Sequence, residues 1–402
     1  MAHNLMNRLA ELSTITDTPG ALTRLFLSPA HQRAIPLVAG WMQEAGLETQ
    51  LDAIGNLVGR TPNSAGKPVL LLGSHIDTVR DAGAYDGNFG VLAAISAVAA
   101  IGDRLPYAVE VIAFGDEEGV RFPQTLSGSR AIAGTFNPAA LGGADAAGIS
   151  LAEALTNFGC DPARIPQIAR DPAQTLGYVE LHIEQGPVLE AENLAVGVVT
   201  AINGASRLTV TVTGAAGHAG TVPMAMRKDA LAAAAEQILA IQSHAAGIAQ
   251  LVATVGSLAV HPGAPNSIPG RVTYSIDIRA PEDTARQQAI DNITGLLQQI
   301  AARHRVAVTL NRTHDAPATL CAPWLQEQLS HAVASQDIQP FFLPSGAGHD
   351  AMAVAALCPV GMLFVRCKGG ISHTPEESIT EEDAETAVAV LVAFLRQFRP
   401  ER

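Results

Sequence analysis

Six short segments hold the side chains able to do chemistry. Gly73-Ser74-His75-Ile76-Asp77-Thr78 sets a histidine and a carboxylate two positions apart, so in extended chain both point the same way. A metal-ligating imidazole commonly has a carboxylate nearby to fix its tautomer, although a polar loop after a strand reads the same. Tyr85-Asp86-Gly87-Asn88-Phe89-Gly90 offers Asp86 at a helix start, where capping is the plainer explanation. Gly115-Asp116-Glu117-Glu118-Gly119 puts three carboxylates in a row. At a strand end facing a pocket they repel one another unless a cation joins them. The segment 178–186 alternates Val179, Leu181 and Ile183 with Glu180, His182 and Glu184, the pattern of a half-exposed edge strand or of a ligand-bearing one. Two glycine-flanked loops, 345–350 and 369–377, carry His349 with Asp350, and His373. Taken together, His75, Asp86, Glu118, His182 and His373 suit a pair of borderline divalent ions, Zn²⁺ or Mn²⁺. Ions that take only oxygen ligands, such as Ca²⁺, fit less well.

Rival chemistries lack their residues. The chain has no GxSxG elbow, no HExxH and no GxGxxG, and Gly66-Lys67 runs into Pro68 without the upstream glycine of a phosphate-binding loop. Its 402 residues carry 25 Lys+Arg against 38 Asp+Glu, a net charge of −13 that argues against a nucleic-acid partner. A hydrophobic content of 48% excludes wholesale disorder. The four cysteines form no CxxC pair and make no disulfide framework, so a reducing compartment is expected. The longest apolar runs, 91–101 and 387–395, fall short of the ~20 residues of a membrane span. The first twelve residues hold no apolar core of signal-peptide length. A soluble, cytoplasmic protein without a membrane partner is the expectation.

The segments need elements to hold them. Buried strands are expected at 69–72, 108–114, 178–183 and 361–367, with helices at 90–101 and 384–398; this alternation predicts an α/β domain with a mostly parallel sheet. In such sheets, sites form outside the carboxyl ends of strands, which is where these segments fall. The middle of the chain reads as strand 207–213, helix 229–244, strands 251–260 and 271–279, helix 282–304 and strand 305–311. That is a β-α-β-β-α-β, ferredoxin-like order. The expected organisation is an inserted domain at 204–318 between two parts of a catalytic domain, 1–203 and 319–402.

The ordered set His75-x-Asp77, Asp86-Gly87, Glu117-Glu118-Gly119, His182-Ile183-Glu184-Gln185-Gly186-Pro187 and Ile371-Ser372-His373 resembles the dinuclear-metal amidohydrolase (hydantoinase/carbamoylase) branch of the M20 metallopeptidase family, over nearly the whole chain. The peptidase branches usually have a carboxylate in place of His182, so HIEQGP favours the amidohydrolase side. Within that branch, FGDEEGVRF and MLFVRCKGGISH look most like allantoate amidohydrolases. The resemblance implies two divalent ions per subunit, one on His75 and His182, the other on Glu118 and His373, with Asp86 bridging. It implies Glu117 as general base and Asp77 as the group that orients His75. It makes the inserted domain a lid and dimerisation domain of a homodimer, with His218 acting in the neighbouring subunit's site. Gln185, Asn266, Arg279 and His349 are implied as substrate-binding residues, while Asp350 gets no role. The implied reaction is hydrolysis of the ureido group of allantoate to ureidoglycine, ammonia and carbon dioxide. N-carbamoyl-L-amino-acid hydrolase or β-ureidopropionase is the alternative, and an M20 exopeptidase a further one.

Overall fold

The computed structural model describes residues 2–62, 64–102 and 105–401. The chain divides into two compact units. One comprises Met1–Thr200, Cys321–Leu343 and Ala347–Arg402; the other comprises Ala201–Leu320 with Pro344–Gly346.

The larger unit is built on a mixed sheet with a parallel centre. Ala108–Phe114, Val69–His75, Thr175–Ile183 and Val360–Val365 lie side by side in that order, each parallel to the next. The hairpin Glu48–Leu51/Leu57–Arg60 extends one side and Val196–Ile202 the other, both antiparallel. Central parallel strands are covered on both faces and therefore read as near-continuous apolar runs. Val69–His75 and Ala108–Phe114 are buried along their whole length. Thr175–Ile183 lies at the middle of the sheet, not at the edge its alternation suggested, so Glu180 and His182 are buried with their apolar neighbours. The helix Asn88–Ile101 is buried on nearly every side and packs on the strands Val69–His75 and Thr175–Ile183 and on the helix Glu381–Gln397. That last helix starts sharply because the Thr380 hydroxyl accepts from the Asp383 N–H at 3.0 Å, and three acidic residues favour its first turn.

The smaller unit runs strand Gly204–Thr213, helix Ala230–Ala246, strands Val252–Thr254 and Leu258–His261, strand Arg271–Ala280, helix Asp283–His304 and strand Ala307–Ala316. Its sheet is antiparallel, and the alternating burial of Arg271–Ala280 follows from having one face on the core. The strand expected at 251–260 is two short strands, both paired with Arg271–Ala280. They are parted at Gly256-Ser257, where Ser257 turns to bond Ser275. Inside the core, Gln237 donates to the Leu297 carbonyl at 2.9 Å and accepts from the Tyr274 hydroxyl at 2.9 Å, so a buried amide is satisfied at both ends. Among the described residues, no helix is long and apolar enough to cross a membrane.

Candidate metal centre

His75 ends its strand, and its Nδ1 lies 2.9 Å from the carbonyl oxygen of Asp77. His182 sits at the corresponding end of Thr175–Ile183, its Nδ1 2.9 Å from the carbonyl oxygen of Ile183. A carbonyl only accepts, so both Nδ1 atoms carry the hydrogen, and each ring, when neutral, has its lone pair on Nε2. Both lone pairs face one atom: Asp86 Oδ1 is 3.4 Å from His75 Nε2 and 3.1 Å from His182 Nε2. Among the described residues, His182 Nε2 is buried with no hydrogen-bond partner. Three acceptors held this close together repel one another unless a proton or a cation lies between them. Two donors held tetrahedrally at 2.0–2.1 Å on one Zn²⁺ stand roughly 3.3 Å apart, which is the separation seen.

The other oxygen of Asp86 faces a second group. Its Oδ2 is 3.3 Å from His373 Nε2, and His373 Nε2 is 3.8 Å from Glu118 Oε2. The ligand atoms of His75, Asp86 and His182 all lie within 4.8 Å of one another, as do those of Asp86, Glu118 and His373. Asp86 thus stands in both triplets, one oxygen turned to each. It does not cap the following helix: the residue before Asn88–Ile101 is Gly87, at φ 65°. A Cβ at Gly87 would fall 2.4 Å from the His75 ring, so only glycine lets the Asp86 loop come this close to the strand end.

Negative charge crowds the same space. Burial pushes the Glu117 carboxyl well up; Glu118, Asp350 and Asp77 push it further, against His75. Burial also takes Glu118 up to about 7, with His75 drawing it back and Asp86 and Asp77 adding to the rise. Burial alone would lower His75, but Asp86, Glu117 and Asp77 reverse that and leave it well above the ordinary imidazole range. Burial would likewise raise Asp86, yet His182, His373 and His75 hold it well below the usual carboxylate range. Glu117 Oε2 is 3.8 Å from His75 Nε2 but belongs to neither triplet.

Asp77 differs from expectation in how it acts. Its backbone carbonyl, not its carboxylate, meets His75; the carboxylate oxygen is 3.9 Å from Nδ1. The carboxylate instead accepts from the N–H groups of Glu117 and Glu118, both at 3.3 Å. The chain turns at Asp116, in the left-handed region at φ 68° with its side chain on the Ser127 hydroxyl. Asp77 and Asp116 together fix where the two glutamates emerge.

Gln185 adopts a left-handed φ of 56°, which aims its amide at Asp86 Oδ2, 2.7 Å away. His349, expected to meet substrate, is 1% exposed and packs edge-on against His182 with ring centroids 4.4 Å apart. Burial, then His182 and His75, lower it well below the imidazole range. Asp350 is fully buried. Glu180, His182 and His349 also approach one another closely, but the oxygens of Glu180 already accept from the Ser74 hydroxyl and the Ala351 N–H, each at 3.0 Å. That group reads as packing behind His182. Ser372 and Glu377, to which the sequence reading gave no role, touch Asp86 directly. The Ser372 hydroxyl is 3.0 Å from Oδ2, and Glu377 Oε1 accepts from the Asp86 N–H at 2.9 Å.

His218, Asn266 and Arg279 belong to the smaller unit. His218 is exposed on a two-residue strand paired with Ser267–Ile268, its Nδ1 accepting from the Gly220 N–H at 3.0 Å. The Asn266 carbonyl accepts from Ala219 at 2.9 Å. Arg279, expected to offer its fork to a substrate carboxylate, spends Nε and Nη2 on Asp277 at 2.7 and 3.2 Å and Nη1 on the Gly346 carbonyl at 2.7 Å.

The profile of peptidase family M20/M25/M40 matches residues 71–397. The chain is 43% identical to an allantoate deiminase of Arabidopsis thaliana, over 96% of its own length and 81% of the relative's. It is equally 43% identical to an N-carbamoyl-L-amino acid amidohydrolase of Geobacillus stearothermophilus, over 96% of each chain. The crystal structure of a hydantoinase/carbamoylase-family amidase from Burkholderia multivorans superposes with a TM-score of 0.91 at 32% identity, covering 98% of this chain and 97% of the other. With its converging histidines and carboxylates, and likeness of this extent along nearly its whole length, the chain belongs to the metal-dependent peptidase family M20/M25/M40.

Proposed function

We propose that this protein is an amidohydrolase that cleaves the ureido group of allantoate, giving ureidoglycine, ammonia and carbon dioxide. The observation that carries the reading is Asp86, one oxygen facing His75 and His182 and the other facing His373. In this reading His75 and His182 hold one Zn²⁺ or Mn²⁺ ion, Glu118 and His373 hold a second, and Asp86 bridges them. Bound there, such ions supply an acidified water and a Lewis acid for the ureido oxygen. That help is needed, because two nitrogens donate into a ureido carbonyl and make its carbon a poor electrophile. Glu117, beside the triplets but in neither, takes the proton of the attacking water on its carboxylate and delivers it to the leaving nitrogen. Its raised proton affinity suits a group that must hold a proton between those steps. The carbon–nitrogen bond breaks to release the amine and a carbamic acid, which divides into ammonia and carbon dioxide.

The smaller unit completes the proposal. It pairs two copies into a homodimer, and His218 of each steadies the developing oxyanion in the other's site. Gln185, Asn266, Arg279 and His349 contact substrate. For Arg279 this means exchanging the Asp277 carboxylate for that of the substrate; for His349 it means moving out from its place against His182. Four free, buried cysteines accord with a reducing, cytoplasmic setting.

A second reading, an N-carbamoyl-L-amino-acid hydrolase or β-ureidopropionase, is favoured by the equal identity and fuller mutual coverage of the Geobacillus relative. One experiment separates them. The protein is stripped with a chelator and restored with Zn²⁺ or Mn²⁺. Rates are then measured on allantoate, N-carbamoyl-β-alanine, an N-carbamoyl-L-amino acid and a dipeptide panel. Allantoate should be turned over fastest, and only with metal restored. Rapid turnover of a carbamoyl amino acid with none of allantoate would overturn the substrate; activity indifferent to the chelator would overturn the metal centre.

A further inference from the structure

Glu377 is 4% exposed and lies four residues beyond His373. Its Oε1 accepts from two successive backbone N–H groups, Tyr85 at 2.8 Å and Asp86 at 2.9 Å. Its Oε2 is 2.9 Å from the Ser372 hydroxyl, which is itself 3.0 Å from Asp86 Oδ2. One side chain therefore grips Asp86 twice, through its backbone and through the hydroxyl beside its outer oxygen. It also ties together two loops whose residues stand 286 positions apart. A buried carboxylate usually finds a cationic partner. Among the described residues Glu377 has no Lys, Arg or His within 4 Å, and nearly all its bonding is spent on the Asp86 and Ser372 segments.

Two plainer explanations fail. Glu377 caps no helix, since Glu381–Gln397 begins four residues later and is capped by Thr380. Nor is it filler beneath a loop that could take another shape. The backbone of Gly83 lies directly on it, and a Cβ there would fall 2.3 Å from Glu377 Cβ and 2.4 Å from its Oε1. The loop carrying Asp86 is moulded onto this carboxylate, and only a residue without a side chain fits at the point of contact.

We infer that Glu377 is a positioning residue. It holds Asp86 so that each oxygen faces a different triplet, and it locks the Asp86 loop to the Ser372–His373 loop. The geometry leaves little slack: Oδ1 must reach two imidazoles and Oδ2 a third. A modest rotation of the carboxylate, or a slip of one loop against the other, would cost one triplet its shared ligand. This inference rests on the metal-centre reading above.

The test uses the full-length protein, stripped with a chelator and titrated with Zn²⁺, Mn²⁺ or Co²⁺. Stoichiometry is read by elemental analysis, affinity by competition with a chromophoric chelator, and ligand geometry from the Co²⁺ d–d bands. Wild type should bind two ions. Glu377→Ala and Gly83→Ala should weaken at least one of them about 10–100-fold, the usual loss when an outer partner of a ligand is removed, and should shift the Co²⁺ bands. Glu377→Gln keeps an oxygen for the two N–H groups and can donate its amide to Ser372, so it should restore affinity to within a few-fold of wild type. If Glu377→Ala does not fold, Gly83→Ala and Ser372→Ala carry the test, and unchanged affinity in both overturns the inference. Two ions held by wild type and by the alanine variants alike, with identical affinity and spectra, overturn it alone. A wild-type protein that binds no ion overturns the metal-centre reading and this inference with it.

Discussion

Glu117→Gln separates a base from a ligand at the point where the two roles are easiest to confuse. Glu117 and Glu118 are neighbours, yet only Glu118 stands in a triplet, with Oε2 3.8 Å from His373 Nε2. Glutamine matches glutamate in shape, and among the described residues no hydrogen bond reaches the Glu117 carboxylate; His75 Nε2 stands 3.8 Å from it. The substitution leaves no cavity and orphans no donor, so it subtracts only a charge and a proton acceptor. A positioned base is worth about 10²- to 10⁴-fold, or about 3–5 kcal/mol of barrier at 1.36 kcal/mol per decade. Steady-state rates on allantoate at saturating metal should fall by that factor. KM should change a few-fold at most, and elemental analysis should still find two ions per chain. Loss of one ion would make Glu117 a ligand. A rate within tenfold of wild type would take the proton-transfer role away from it altogether.

Two further perturbations probe the groups around that base. In Asp77→Asn the single amide oxygen can serve only one of the two N–H groups now held, and a bond to a charged acceptor is worth about 1.5–3 kcal/mol. The rate should therefore fall about 10–100-fold while metal stays bound at His75, whose ring is held by the Asp77 carbonyl; metal loss on the His75 side with little change in rate would reverse that assignment. If His218 works across a dimer, His218→Ala and Glu117→Gln should each be inactive alone and regain part of the wild-type rate when mixed. Proven subunit exchange without rescue would confine His218 to its own subunit's site.

Much of this centre was legible because its parts sit where chain chemistry changes. His75, Glu117, Glu118 and His182 each follow or end an apolar run, and parallel sheets bring such ends to one rim. What escaped was set by side chains choosing among partners. A period of two puts the Asp77 side chain beside His75 in extended chain, but the strand stops at His75 and the turn swings the carboxylate to the next loop. The same period does explain Arg279, two positions from Asp277 on one face of one strand, so their pairing was open to reading. The split of 251–260 was signalled by Gly256. Glu377 left no signal, since nothing local shows that a carboxylate after His373 will receive a backbone 291 residues away. Arg24 left none either: it is fully buried, and its guanidinium bonds the carbonyls of Ile76, Leu12 and Ile15 and the Asn88 side chain.

The concentration of buried acid ties metal affinity to pH with a definite sign. Asp77, Asp86, Glu117, Glu118, Glu180, Asp350 and Glu377 lie in one region of the larger unit, with the imidazoles of His75, His182 and His373 beside them. Without a cation, this assembly lowers its charge by keeping protons. Burial raises Glu118 to about 7 and pushes Glu117 well up too, and the three imidazoles are raised as well, chiefly by Asp86. Glu118 and the three imidazoles must shed those protons to bind an ion, so metal and protons compete for the same atoms. Binding should release protons near neutral pH, and apparent affinity should rise as pH climbs through 7. Because an ion that binds only the folded chain stabilises it by RT ln(1 + [L]/Kd), each tenfold gain in affinity under excess metal adds about 1.4 kcal/mol. The rise in Tm produced by a fixed Zn²⁺ or Mn²⁺ concentration should therefore be larger at pH 8 than at pH 6. A rise that is equal at both pH values, or larger at pH 6, would mean that these protonated groups are not the ones the ions displace.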